Sequence, residues 1–578
     1  MEMRWVFKEA ADQGTQQRLS QELNISPLLS GLLVQRGITT FEDAREFFRP
    51  SLEHLHDPFL MAGMQAATNR LVQAIEKEEK ILIYGDYDVD GTTSVALVYS
   101  FLKDFHPHID YYIPDRYTEG YGISEQGVRW AAEHNFNLII ALDCGIKAIE
   151  KVKLATSLGV DFIICDHHRP GDTWPDAVAV LDPKRPDCNY PYKELSGCGV
   201  GLKLMQALSS QLDIPAARWE SLLDLAAISI CADIVPVTGE NRVLCHFGLK
   251  LLNASTRPGI RALLELNQLN KTITVNEVVF VIAPRINAAG RMESGRKAVE
   301  LLITEDIQAA MEPGTRIHTH NTERVQVDRA MTREALDMIS REANLIQRKT
   351  TVLFNPEWHK GVIGIVASRL IETYYRPTIL LTESNGKATG SARSVKGFDV
   401  YEAIEACSDL LEQFGGHMYA AGLTLKLENV EAFTARFEEV VSSRIDLTLL
   451  IPQIEVDAEI DFPDITPKMY GILEQFAPFG PGNMAPVFVT RNVLDRGYAK
   501  RVGKEQTHLK CDLHQALHPT VRFPAIGFGQ GDAIDWLRQG VPVDVCYTVD
   551  ENEWNGKTSL QLVLKDVKVS GTRKSIAT

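Results

Sequence analysis

Between residues 80 and 236 the chain alternates short, wholly apolar runs with longer segments of helical period. The runs KILIYGD (80–86), NLIIALD (137–143), VDFIICD (160–166) and AVAVLD (177–182) each read as a buried strand, because strands covered on both faces lose the in–out alternation of half-exposed ones. Between the second and third runs, KAIEKVKLATSLG places apolar residues at helical spacing and ends on Gly159, a suitable C-cap. Strand–helix–strand alternation predicts an α/β fold with a mostly parallel sheet and helices on both faces. Ligands of such sheets collect beyond the carboxyl ends of the strands. All four runs end in Asp.

The pattern changes along the chain. Residues 1–50 read as a separate, partly helical segment ahead of a first α/β domain over 51–304. Residues 305–347 are polar with helical period and form a connector that Pro313-Gly314 should break or kink early. On this connector His318 and His320 diverge and read as an exposed face. A second α/β domain spans 348–450, with TTVLFN and PTILLT as strands around the helix-like GVIGIVASRLIETYY. From 451 to 570 short β-like runs separated by Gly, Asp and Asn predict a small β-barrel or sandwich, followed by a tail, 571–578, that reads as disordered.

Composition is that of a folded globular protein, 45% hydrophobic and 24% charged over 578 residues, which is too long for one core. No apolar run is long enough to span a bilayer. The opening MEMRWVFKEA lacks a signal-peptide core, so a cytoplasmic location is expected. Nine scattered cysteines without a C-x-x-C pair point neither to disulfides nor to a thiolate zinc site. The net charge of −16 disfavours a protein that coats nucleic acid, yet allows an enzyme with its basic groups confined to one channel.

The candidate chemistry lies at the strand ends. YGDYDVDG (84–91) sets Asp86, Asp88 and Asp90 at alternating positions, on one face of an extended segment, with Gly85 and Gly91 permitting a turn. Carboxylates this close repel one another unless cations neutralise them. Asp143 in LDCG, Asp166-His167-His168, and Asp233 in CADIVP supply further donors; Asp182 lies in a turn-rich loop and is less clearly placed. Carboxylates with imidazole and no thiolate suit Mn²⁺ or Mg²⁺, and a carboxylate such as Asp143 could bridge two ions that activate water for attack on phosphorus.

YGDYDVDG, LDCG, DHH and ADIVP, in that order, resemble the DHH phosphoesterase superfamily. RINAAGR (285–291), GVIGIVASRL (361–370) and GGHMYAAG (415–422) narrow the resemblance to its bacterial single-strand-specific 5′→3′ DNA exonucleases, over residues 50 to 570. The resemblance implies metal binding by Asp86, Asp88, Asp90, Asp143, His167 and Asp233. It implies a catalytic group of His168, Asp143 and Asp166, with His168 facing the scissile phosphate. It also implies a nucleotide-binding second α/β domain and a C-terminal OB-fold. Arg285, Asn287 and Arg291 flank a small run where backbone approaches a ligand closely. Gly415-Gly416 and His417 precede a helix-like stretch suited to anion binding. Arg116, Ser391 and Arg393 are the expected readers of a 5′-phosphate. In the last domain Lys500, Arg501 and Lys504 would follow a phosphate backbone, while Tyr498, Phe523, Phe528 and Trp554 would stack bases. The implied activity is hydrolysis of single-stranded DNA to 5′-mononucleotides in repair and recombination, by a monomer working with a single-strand-binding protein and a helicase.

Overall fold

The computed structural model describes residues 3–554 and 556–571, which form two compact units. The larger runs from Pro50 to Leu450 and includes Gly480–Gly482.

Its first sheet is built on β1 (Ile81–Gly85), β2 (Ile109–Tyr112), β3 (Leu138–Leu142), β4 (Asp161–Cys165) and β5 (Ala179–Leu181). All pairings are parallel, in the order β2-β1-β3-β4-β5. Every residue of β1 and β3 is buried, which is why both read as unbroken apolar runs. The sequence reading missed β2. It is an edge strand, half-buried and carrying Asp110, so it lacks that run. The chain steps from β1 outward to β2 and then back past β1 to β3. The carboxyl ends of β1 and β3 therefore border a topological switch point, where a crevice opens.

Helices cover both faces. Those used below are α1 (Val89–Leu102), α2 (Gly197–Gln211), α3 (Leu223–Ala232), α4 (Ala283–Met292) and α5 (Ile307–Arg341). The connector helix α5 runs through Pro313 without a break over 35 residues, about 50 Å at 1.5 Å per residue, contrary to the expected interruption. Pro313 removes one backbone bond, but its neighbour Gly314 is buried against Ala262, Leu266 and Leu301, and this packing holds the turn.

The second α/β domain has β6 (Thr351–Phe354), helix α6 (Ile363–Thr373), β7 (Thr378–Ser384), β8 (Lys387–Arg393), β9 (Gln413–His417) and β10 (Ala420–Lys426). The sheet order is β9-β10-β8-β7-β6, with only β6 and β7 parallel. GGHMYAAG is a tight β9–β10 hairpin rather than the start of a helix. Gly416, at φ +149°, is needed there because a Cβ would lie 2.3 Å from the Ala420 carbonyl oxygen.

The smaller unit contains a closed barrel of five strands: β11 (Phe488–Asp495), β12 (His508–Gln515), β13 (His518–Gly527), β14 (Val543–Trp554) and β15 (Lys557–Val569). β11 pairs with both β14 and β12, and β14–β15–β13–β12 completes the ring. The N-terminal residues are not a separate segment. Strand Arg4–Phe7 pairs in parallel with Gln453–Val456, and Leu29, Leu32, Leu33 and Ala44 share a core with Phe462, Phe476 and the barrel. One buried carboxylate ties this union. Asp457 accepts from Lys8 Nζ (2.9 Å) and the Val487 amide (2.9 Å), and Arg36 lies 3.8 Å away. Among the described residues no helix is long and apolar enough to cross a membrane.

Removing one partner from a buried ion pair leaves the others uncompensated. Asp457→Ala should therefore destabilise the smaller unit by about 3 kcal/mol. In thermal unfolding its transition should move down, and limited proteolysis should release the N-terminal 49 residues before the larger unit is cut.

Candidate metal centre

The three leading aspartates converge through a strand-to-helix turn and not, as the sequence suggested, along one extended face. Asp86 directly follows β1, Asp88 is the N-cap of α1, and Asp90 lies in its first turn. The turn is tight: a Cβ on Gly91 would sit 2.3 Å from the Asp86 carbonyl oxygen. Asp143 follows β3 at φ +59°, a left-handed conformation that turns its carboxylate across the sheet edge. The amino end of α2 packs against it so closely that a Cβ on Gly197 would lie 2.6 Å from the Asp143 Cβ. Asp166-His167-His168 follows β4, and Asp233 caps the carboxyl end of α3.

These side chains meet around His167 Nε2, which lies 3.2 Å from Asp143 Oδ1, 3.6 Å from Asp233 Oδ2 and 3.7 Å from Asp90 Oδ2. Two overlapping donor groups result: Asp143 with His167 and His168, and Asp90 with His167 and Asp233. Backbone donors hold the carboxylates from behind. Asp90 accepts the amides of Gly197 (2.7 Å) and Cys198 (2.8 Å) and the Ser229 hydroxyl (2.7 Å). Asp88 accepts the Gly91 amide and Asp86 the Gly122 amide. Even so, Asp86 Oδ2, Asp143 Oδ1 and both ring nitrogens of His167 are buried without a hydrogen-bond partner among the described residues. Buried polar atoms in proteins are nearly always paired, so four orphans in one cluster call for a ligand. Oxygen and imidazole donors match a divalent cation such as Mn²⁺ or Mg²⁺.

Electrostatics agree. Burial, and then the neighbouring Asp88, pushes the Asp86 carboxyl well above the usual range. Burial with Asp90 and Asp88 does the same to Asp143, and raises Asp233 to about 8. Asp166 differs. Burial acts to raise it, but the hydrogen bond and charge of His168 prevail and hold it below the usual range. Its two oxygens accept the amides of Ile146, His167 and His168 and face His168 Nδ1 at 2.8 Å. Asp166, expected in the catalytic group, is thus fully hydrogen-bonded and holds His168 Nδ1. The Asp166 bond outweighs burial and raises the half-exposed His168 to about 9. Tyr121, not anticipated from sequence, has its hydroxyl 3.2 Å from His168 Nε2 and 3.3 Å from the Asp143 carbonyl. Asp182 is fully buried beside Asp166, accepts the Lys184 amide, and is raised to about 7, chiefly by burial.

Next to the carboxylates lies a cluster of cations. Arg116 packs 5.1 Å over the Tyr87 ring. Arg291 donates to the Gly361 carbonyl (2.8 Å), whose loop leads into α6, and Tyr117 donates to the Arg291 carbonyl (2.5 Å). Burial, then Arg116, Arg324 and Arg393, lowers Arg291 to about 10; burial and Arg116 also lower Arg393. Ser391 accepts from Arg393 at 2.9 Å, and both side chains face the first turn of α6, where a Cβ on Gly364 would come within 2.8 Å of each. His417 is exposed on the β9 hairpin and feels the charges of Arg393 and His168.

Other expected residues stand elsewhere. Arg285 points away from this cluster, bonding Asn267 and the Val281 carbonyl and nearing His318 at 3.5 Å. Asn287 is half-buried on the same helix, α4. The glycine of that motif, Gly290, admits the Tyr87 carbonyl oxygen, which a Cβ would meet at 2.5 Å, so the close approach is internal. His318 and His320 are half-buried rather than exposed. In the barrel unit Tyr498, Lys500, Arg501 and Lys504 are exposed on and around strand Lys500–Val502. Arg501 pairs with Asp532 at 3.3 Å. Phe528 is exposed, but Phe523 packs edge-on to Phe462 in the core and has no free face for a base. The Trp554 side chain and residues 572–578 lie outside the described residues.

A carboxyl whose folded pKa is raised favours folding below its unfolded pKa and loses that contribution as pH rises through the folded value. With Asp86, Asp143 and Asp233 all raised, metal-stripped protein should melt at a higher temperature near pH 5 than near pH 8. Mn²⁺ at about a hundred times its dissociation constant should restore about 2.7 kcal/mol at the higher pH. Asp143→Asn should raise the metal-free melting temperature near pH 8, flatten its pH dependence, and abolish the Mn²⁺ response.

Comparison with known proteins accords with this layout. The chain matches the DHH family N-terminal domain over residues 80–230, the DHHA1 domain over 347–443 and the RecJ OB domain over 456–566. It is 40% identical over 572 residues to the single-stranded-DNA-specific exonuclease RecJ of Bacillus subtilis, covering 98% of this chain and 71% of that protein. The crystal structure of RecJ in complex with Mn²⁺ from Thermus thermophilus superposes with a TM-score of 0.83 at 30% identity, over 98% of this chain and 79% of that one. The Mg²⁺ complex of the same protein gives 0.77 at 29% identity, over 98% and 78%. With all three domains in order and matched along nearly its whole length, the chain belongs to the RecJ family.

Proposed function

We propose that this chain is a metal-dependent exonuclease of single-stranded DNA that starts at a 5′ end and releases 5′-mononucleotides. The observation that carries this reading is the juxtaposition of an orphaned carboxylate–imidazole cluster with arginines whose charged neighbours include one another. Asp86, Asp88, Asp90, Asp143, His167 and Asp233 would hold Mn²⁺ or Mg²⁺ as a pair of ions. Such ions polarise a phosphoryl oxygen and lower the pKa of water. His168, fixed by Asp166 and Tyr121, offers a charged N–H to a phosphate oxygen. Arg116, Arg393 and Ser391, with the first turn of α6, supply guanidinium, hydroxyl and backbone N–H donors to a terminal phosphate. Arg291 adds charge from behind, and His417 borders the same space. Arg285 and Asn287 support α4 and α5 in this reading. On the barrel, Lys500, Arg501 and Lys504 would follow the backbone of the strand and Tyr498 would stack a base. The same reading takes the chain to be a cytoplasmic monomer acting in repair and recombination with a single-strand-binding protein and a helicase.

The test uses 5′-phosphorylated and 5′-hairpin-blocked single strands with Mn²⁺, Mg²⁺ or EDTA. Mononucleotides should appear from the open strand only, and only with metal. Release from the 3′ end of a blocked strand would refute the polarity. Asp143→Ala should lower turnover about a thousandfold or more, since metal stabilisation is worth several kcal/mol. Arg393→Ala should reduce the preference for 5′-phosphate over 5′-hydroxyl ends by about 10- to 100-fold in kcat/KM, the value of one charge-assisted contact.

A further inference from the structure

The site described so far occupies one end and the middle of the first sheet's carboxyl edge. Along the order β2-β1-β3-β4-β5, Arg116 follows β2, and the candidate metal donors follow β1, β3 and β4. At the other end, beyond β4 and β5, a recess of about 390 Å³ is lined by Arg169, Trp174 and Lys184, with one carboxylate, Asp172, and two prolines, Pro170 and Pro186. Arg169 is the residue next to His168, and it is exposed with no ion pair among the described residues. Lys184 lines the recess from the loop that follows β5. Its backbone is pinned by the buried Asp182.

Trp174 lines the recess half-buried, packed against the apolar cluster that includes Ile164 and Val180. The Trp174 ring is held by the Arg185 guanidinium, 4.7 Å from its centroid. Arg185 is itself fixed by Asp187 at 2.9 and 2.6 Å and by the Val180 carbonyl, so its charge is already compensated. Arg169 is left uncompensated, and Lys184 has only a loose contact with Glu194 at 3.5 Å. The uncovered part of an immobilised indole, with two cations against one carboxylate in the same lining, matches one nucleotide, with the base against the ring and the phosphate against the cations.

We propose that this recess is a subsite for a nucleotide on the 3′ side of the scissile phosphate. The inference rests on the 5′-end reading above. A strand whose terminal phosphate lies at Arg116 and whose scissile phosphate lies at mid-sheet continues in the 3′ direction toward β5. The occupant is therefore the continuing substrate strand, and the recess would retain it between successive cleavages.

The experiment is a cycle between protein and substrate. Wild type and Trp174→Ala are assayed on 5′-phosphorylated strands that are intact or carry one abasic site at the second, third, fourth or fifth nucleotide. Trp174→Ala should raise KM about tenfold with kcat little changed, within the range of one base–aromatic stack, and Trp174→Phe should recover most of the loss. In wild type one abasic position should reproduce that rise, and in Trp174→Ala the same position should add nothing. Full additivity at every position, or an unchanged KM in a variant that keeps its Mn²⁺-dependent melting shift, would overturn the subsite. Arg169→Ala with Lys184→Ala should reduce the slope of log K against log salt by about 0.7 per lost phosphate contact. The cycle repeated as equilibrium binding in Ca²⁺ separates the two claims. Coupling without any mononucleotide release would reject the exonuclease reading and leave only a single-strand contact at Trp174; release without coupling would reject the subsite and leave the exonuclease reading.

Discussion

Mutual repulsion among buried carboxylates is the constraint around which the larger unit is arranged. Asp86, Asp90 and Asp143 are buried within one small volume, with His167 among them. Nothing in apolar packing would gather such groups, and burial followed by neighbouring carboxylates raises Asp86 and Asp143 well above the usual range. They stay in place because rigid backbone carries each of them. Asp86 and Asp143 are fixed by the sheet, Asp90 by the first turn of α1 and the amino end of α2, and Asp233 by the end of α3. The glycines follow from this. Gly91 and Gly197 stand where elements come too close for a Cβ, so they allow the approach that brings the carboxylates together.

The same constraint explains which donors are satisfied. Asp90 and Asp166 receive three or more donors each, whereas Asp86, Asp143 and His167 keep atoms free. The donors behind Asp90 hold it in place among the other carboxylates, while the unpaired atoms of Asp86, Asp143 and His167 remain available to a ligand. Asp166 sits in the most conspicuous motif of the chain, and its oxygens are taken up by three amides and His168 Nδ1.

Much of this was legible in the sequence, for a physical reason. A strand buried on both faces writes an apolar run, and an Asp closing each run marks the carboxyl edge, so Asp86, Asp143 and Asp166 could be placed on one edge from β1, β3 and β4 alone. What escaped notice depends on tertiary context. The edge strand β2 has no such run. Tyr121 reaches His168 from a loop whose residues carry no period. The donors to Asp90 come from residues more than a hundred positions away. Local rules misled where packing overrode them, as with Pro313 inside α5 and with GGHMYAAG, whose glycines serve a hairpin. The N-terminal residues read as separate because their partners, Gln453–Val456 and Asp457, lie at the far end of the chain.

Carboxylates that lack cations and arginines that lack anions lie in the same crevice without neutralising each other. Had Arg116 reached Asp86, both would be satisfied and neither would be available. Arg116 packs over Tyr87 instead. Tyr87 is the residue directly after Asp86, its ring holds the Arg116 guanidinium at 5.1 Å, and its own backbone is wedged against Gly290 of α4. Tyr121 packs edge-on to it at 6.3 Å and extends the partition to His168. Arg291 is anchored by a carbonyl and Arg393 by Ser391, so neither needs a carboxylate to hold its position. The two charge sets are therefore kept apart by aromatic rings and tethered by neutral groups. That arrangement stores opposite binding capacities side by side, and a polyanion requiring metal at one phosphate and guanidinium at another satisfies both at once.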